Sequence, residues 1–182
     1  MVYISAKFIT LAALFVSTSA LTIGKRDVAA LQSQIATIST DITNLDTAID
    51  AYPNSGGSLS AGLAINTLAT TLVTALNTGT TDAQAIAGPV DEADGEAIIA
   101  SIQAVVPTIE DALTNIVLKK PSFTALIVGD ALVLQDLQKL NASTVAFENS
   151  LVAIAPADLQ SKATAIIASL ATAFATAIAA YN

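Results

Sequence analysis

Eight large apolar residues, Val28, Leu31, Ile35, Ile38, Ile42, Leu45, Ile49 and Tyr52, follow one another at alternating intervals of three and four. This spacing collects all of them on one stripe of an α-helix, whereas a strand would scatter them over both of its sides. A stripe of this length cannot face water; it has to meet other helices. The expectation is an all-α fold.

The rhythm recurs down the chain. Pro53-Asn54-Ser55-Gly56-Gly57 ends the first helix, because proline disfavours helix in the residue before it and glycine suits a turn. Ser58 or Ser60 then caps a second helix, buried through Leu63, Ile65, Leu68, Leu72 and Leu76 and stopping at Asn77-Thr78-Gly79. Thr80 or Thr81 opens a weaker stretch that breaks near Gly88-Pro89. Its stronger part starts at the acids Asp91, Glu92 and Asp94, which suit a helix N-terminus. It continues on Ile99, Ile102, Val106, Ile109, Leu113 and Ile116, kinked near Pro107.

Lys119-Lys120-Pro121-Ser122-Phe123 forces a new start, and its two lysines suit the negative end of the helix before it. The next helix uses Leu126, Val133, Leu137, Leu140, Thr144, Phe147, Leu151 and Ile154, with Gly129 tolerated. The last, beginning at Pro156, uses Leu159, Ala163, Ile166, Leu170, Phe174, Ile178 and Tyr181. About five long amphipathic helices joined by short breaks predict an up-and-down bundle.

Ahead of this bundle, Lys7, an apolar run over residues 8–16 and the small residues Ser17-Thr18-Ser19-Ala20 form a signal-peptide pattern over residues 1–20. The run is too short to span a bilayer. Lys25-Arg26 reads as the processing site of a propeptide over 21–26, which leaves 27–182 as one domain. No later stretch reads as a transmembrane helix or an anchor tail, so the product is expected to be secreted and extracellular, without transmembrane insertion.

The net charge is −8, and removal of Lys7, Lys25 and Arg26 with the leader makes the domain more negative still. A chain without a basic stripe has nothing to neutralise phosphates, so nucleic acid is not an expected partner. The sequence has no cysteine, histidine or tryptophan. That excludes disulfides, Ser-His-Asp or Cys-His catalysis and ordinary zinc or haem ligation, and no cofactor, metal or catalytic residue is expected. The acids Asp91, Glu92, Asp94 and Glu96 lack the ligand spacing of a calcium loop, and a helix start explains them better than a glycosidase carboxylate pair.

The stripes are almost wholly Ile, Leu, Val and Ala. Such an interior either packs closely or leaves an apolar groove in which a few neutral polar side chains fix a head group. For the groove, the candidate ligand-binding residues are Ile38, Ile42, Leu72, Gln103, Val106, Val133, Gln135, Leu137 and Ile166. Asn141-Ala142-Ser143 makes Asn141 a glycosylation candidate inside a helix.

Several features taken in order resemble the fungal hydrophobic surface binding protein A and cell wall galactomannoprotein family. They are Arg26-Asp27 after the leader, the heptad helix with its Ala51-Tyr52 turn, the acidic helix start, the Lys119-Lys120-Pro121-Ser122-Phe123 break, Phe147, Pro156 and the closing Phe174-Ala175-Thr176-Ala177-Ile178-Ala179-Ala180-Tyr181. The resemblance implies a secreted helical domain that adsorbs to hydrophobic solid surfaces, or takes a long-chain fatty acid or other lipid between its helices. Some relatives continue into a Ser/Thr-rich stalk and a membrane anchor that ties them to the cell wall. A secreted hydrolase is a further partner for the surface-bound form. The alternative is a structural or antigenic wall or secreted protein without a small-molecule ligand.

Overall fold

The computed structural model describes the backbone of residues 9–182 and side chains from residue 24 onward. The expected signal peptide therefore falls outside the described side chains. Six helices follow in order: α1 (Ile9–Ala51), α2 (Leu59–Gln84), α3 (Glu92–Leu118), the single-turn α4 (Lys120–Thr124), α5 (Gly129–Ile154) and α6 (Gln160–Tyr181). Among the described residues there is no strand, and five helices are long.

The eight-residue stripe is buried throughout, seven residues of α1 from Val28 to Ile49 and Tyr52 just past its end. Its neighbours are α2 on one side and α3 on the other; α2 in turn meets α5, α5 meets α6, and α6 meets α3. The long helices thus close a ring in the order α1, α2, α5, α6, α3. Direction alternates along the chain as expected. Within the ring, however, α2 and α5 run the same way, since Asn66 faces Asp136 and Gly79 faces Phe147. The pairs Asp50–Asn115 and Glu110–Ser169 put α1, α3 and α6 in parallel as well.

Ring closure has a geometric consequence. Five helices spaced about 9 Å apart place each axis about 8 Å from the common centre, beyond the roughly 5–6 Å radius of a helix with its side chains. Only large inward side chains would fill the middle, and this chain supplies mainly Ile, Leu, Val and Ala.

One end of the ring is closed by α4. Phe123 and Ser122 are fully buried there; the Phe123 ring stacks on Tyr52 with centroids 4.5 Å apart, and Ser122 Oγ accepts from the Gly57 amide at 3.0 Å. The two lysines next to Pro121 do not serve α3 alone. Lys119 Nζ donates to the Asp50 carbonyl at the end of α1, and Lys120 Nζ donates to the Ala180 carbonyl at the end of α6 while lying over the Tyr181 ring. Each cation therefore sits at the negative terminus of a neighbouring helix. Tyr181 Oη donates to the Ile116 carbonyl at 2.7 Å, and burial raises that phenol well above its ordinary value.

Several local expectations need correction. Helix α2 does not stop at Asn77-Thr78-Gly79 but runs on to Gln84, because Gly79 is a packing site rather than a cap. A Cβ there would stand 2.8 Å from Phe147 and 3.1 Å from Ile38, so the missing side chain lets three helices converge. The break falls later, where Gly88 takes φ +86°, a value that suits glycine. Leu63 is exposed rather than buried, and Gly129 is more than tolerated: a Cβ would lie 2.1 Å from the Phe123 carbonyl oxygen.

At Pro107, α3 continues unbroken. The proline is on the exposed side, so the Gln103 carbonyl that it leaves without an amide partner faces water.

The view that no later stretch has transmembrane character is also corrected. By length and composition, α2, α3 and α6 are each long and apolar enough to cross a membrane, with mean hydropathies of 1.5, 1.3 and 1.9. On α3 and α6 much of that apolarity is exposed alanine, and the outer face of α2 carries threonines whose hydroxyls bond back to the carbonyl one turn earlier, as Thr70, Thr74 and Thr78 do.

Candidate functional site: an apolar chamber inside the helix ring

A chamber of about 110 Å³ occupies the ring's centre. All five long helices line it: Ile38, Ile42, Leu45 and Ile49 of α1, Ile65, Ala69, Leu72 and Leu76 of α2, and Ile102 to Ile116 of α3 in helical steps. Val133, Leu137, Leu140, Phe147 and Leu151 of α5 join Leu170 and Phe174 of α6 to complete the wall. Along α3 this wall extends about 21 Å, the length of a long acyl chain. A second chamber of about 40 Å³ lies toward the other end between α3, α5 and α6, and the two share Ile102, Glu148 and Leu151.

Leaving an apolar space of this size empty costs roughly 2–3 kcal/mol in a well-packed protein. Such a space stays dry unless polar groups hold water in it. An apolar guest would recover that energy.

Among the sequence candidates, Ile38, Ile42, Leu72, Val133 and Leu137 stand on the wall of the larger chamber, and Ile166 on that of the smaller. Gln103, Val106 and Gln135 line neither, which corrects that part of the expectation. The cause is helix phase: Gln103 shares the exposed face of α3 with Pro107, and Gln135 lies on the exposed side of α5, one step from the inward Asp136. Val106 is displaced by its neighbour Val105, which faces inward. Asn141 is half-buried in mid-α5.

Among the described residues, the polar groups that reach the interior are Asp136, Thr144 and Glu148, all on α5. Asp136 is held by the Asn66 amide, which donates to both carboxylate oxygens at 2.8 and 2.9 Å. Burial raises its carboxyl, against the opposing effects of Asn66 and Lys139. Glu148 is only 8% exposed, and its Oε1 is buried without a hydrogen-bond partner. Burial alone pushes this carboxyl up to about 7. Sequence reasoning missed both acids, since a lone carboxylate in a helix is ordinarily on the surface.

The acids at the start of α3 act as helix-start groups: Asp91 caps it, accepting from the Asp94 amide at 2.9 Å. A different trio, Asp46, Asp50 and Asp111, brings carboxylate oxygens within 4.8 Å of one another across α1 and α3. Asn115 donates to Asp50 at 2.6 Å and to Asp111 at 3.2 Å, which ties these two acids together. Burial, followed by the two neighbouring acids, raises Asp46.

The fold and chamber define a class: a ring of five helices around an elongated, apolar interior. The family profile of hydrophobic surface binding protein A matches residues 28–153, and the chain belongs to that family. Among solved structures it is similar to AfMP4p in complex with palmitic acid, with 28% identity, 85% of this chain and 99% of that one covered, and a TM-score of 0.79. Ligand binding domain 1 of the Penicillium marneffei MP1 protein, complexed with arachidonic acids, shares the fold at 18% identity, with 86% and 99% covered and a TM-score of 0.77. Domain 2 of the same protein, also with arachidonic acids, shares it at 18% identity, with 84% and 92% covered and a TM-score of 0.75. No curated protein matches the chain.

Proposed function

We propose that this protein is a secreted, non-enzymatic lipid-binding protein that takes the acyl chain of a long-chain fatty acid into the chamber between its helices. The observation that carries the reading is the continuous aliphatic wall contributed by all five long helices. Each methylene moved from water to such a wall contributes about 0.8 kcal/mol, so a long chain has ample driving force even after ordering costs. The likeness to AfMP4p with its palmitic acid supports the same reading.

The absence of histidine and cysteine supports a carrier over an enzyme. The leader pattern supports export, and Lys25-Arg26 supports processing to a mature domain from Asp27. Protein purified from its host should yield a tightly held acyl chain on organic extraction and mass spectrometry. No lipid in the extract, together with no uptake of added fatty acid by the folded protein, would reject the reading.

A second activity, adsorption to hydrophobic surfaces, is favoured by a separate observation. Leu59, Leu63, Ile127 and Val128 are exposed at the end that α4 closes, with Ile127 fully open to solvent. The pairing of α2 with α5 brings these residues together, since Gly62 approaches Leu126. Replacing Ile127 and Val128 by Asp is expected to weaken adsorption to alkyl-coated beads by at least about tenfold. Fatty-acid uptake should stay within about twofold of wild type, because neither residue lines a chamber. Unchanged adsorption would locate the adsorbing surface elsewhere, as would happen if the helices opened to lay their inner faces down and recruit a secreted hydrolase there.

A further inference from the structure

We propose that Glu148 is the head-group partner of the ligand, and that it selects amphiphiles whose polar end can share or donate a proton: a carboxylic acid or an alcohol. The inference rests on the lipid-binding reading above and names the ligand chemistry of that same site.

Glu148 is more than nine-tenths buried, lines both chambers at their junction, and leaves Oε1 without a partner. A buried carboxyl oxygen with no partner costs free energy that a ligand's polar end would relieve. The walls offer little else. Among the described residues, the chamber residues of α1, α2, α3 and α6 are all apolar and no cation lines the space, so a carboxylate head group finds no ion-pair partner there. The other ionisable wall group, Asp136, lies twelve residues back along α5, about 18 Å away, and is already held by Asn66. Thr144, one turn before Glu148, is the remaining polar wall residue. A ligand with its head at the junction has the larger chamber for its chain on one side and the smaller one for overflow on the other.

Two carboxyl groups meeting here can hold one proton between them in a short O–H···O⁻ bond. Two carboxylates cannot stay together in an apolar space. With Glu148 protonated below about 7, a fatty acid anion arriving from water finds a donor. Above that value the complex must take up a proton, and affinity for the acid falls by about tenfold per pH unit. An alcohol donates to the ionised carboxylate just as well, so its affinity should hold.

The test uses delipidated protein with radiolabelled palmitic acid and hexadecan-1-ol, with binding measured from pH 5 to 9. For wild type, the acid-to-alcohol affinity ratio should begin to decline above about pH 7. In Glu148→Gln, whose amide donates at every pH, that break should disappear. An unbroken wild-type ratio through pH 7, or a break that Glu148→Gln retains, overturns the assignment while lipid binding stands. Failure of both ligands to bind at any pH rejects the lipid-binding reading itself, and the assignment with it.

Discussion

At pH 8 the Glu148→Gln protein is expected to be more stable than wild type by roughly 2–3 kcal/mol, and the gain should vanish below about pH 4. The ordinary value of the carboxyl is 4.5, and burial raises it to about 7 in the folded chain. Below 4.5 the group holds its proton in both states and adds nothing. Between 4.5 and 7 the unfolded chain ionises while the folded one does not, so stability falls as pH rises. Above 7 both are ionised, and the cost of a buried charge is constant. Glutamine fills the same volume without that charge. Urea midpoints at pH 4 and pH 8 measure the difference; equal midpoints for the two proteins at pH 8 would mean that Glu148 reaches water.

The largest functional effect is expected from filling the chamber. Ala112 lies on its wall in the middle of the α3 face, and Ala112→Phe places a ring in a space of about 110 Å³. Fatty-acid affinity should fall by about a hundredfold or more, because several methylenes lose their place at about 0.8 kcal/mol each. Stability should hold or rise by up to about 2 kcal/mol, since the ring recovers contacts that the empty space lacks. Val105→Phe, from another point on the same wall, provides an independent repeat. A destabilised variant that still binds would show that the ring turns outward; a stable one with undiminished uptake would put the ligand elsewhere.

The pattern of legibility follows from what periodicity reports. A stripe at three-four spacing specifies its own inward face, so the seam of α1 and the inward sets of α5 and α6 could be read directly: Val133, Leu137, Leu140, Phe147, Leu170 and Phe174 all face the interior. Closure of five such faces into a ring, and hence a chamber, is a tertiary matter that no single stripe contains. Gly79 illustrates the limit. In sequence it looks like a helix stop, yet its role is set by Phe147 and Ile38, two residues from other helices.

The polar side of the site was misjudged for a related reason. Gln103 and Gln135 attract notice as neutral donors near apolar stripes, but a shift of one residue, about 100° on a helix, separates Gln135 from the inward Asp136. Glu148 gave no signal at all, because its burial comes from the other helices of the ring and not from α5 itself. The acids Asp46, Asp50 and Asp111 likewise meet only when α1 and α3 lie side by side.

The most direct test of the account is isotope-filtered NMR on the protein loaded with ¹³C-labelled palmitic acid. Ligand methylenes should give cross-peaks to the methyl groups of Ile38, Ile42, Leu72, Ile109 and Leu137, which face one another across the chamber. Cross-peaks confined to the exposed Leu59, Leu63, Ile127 and Val128, or none to any inward methyl, would contradict it.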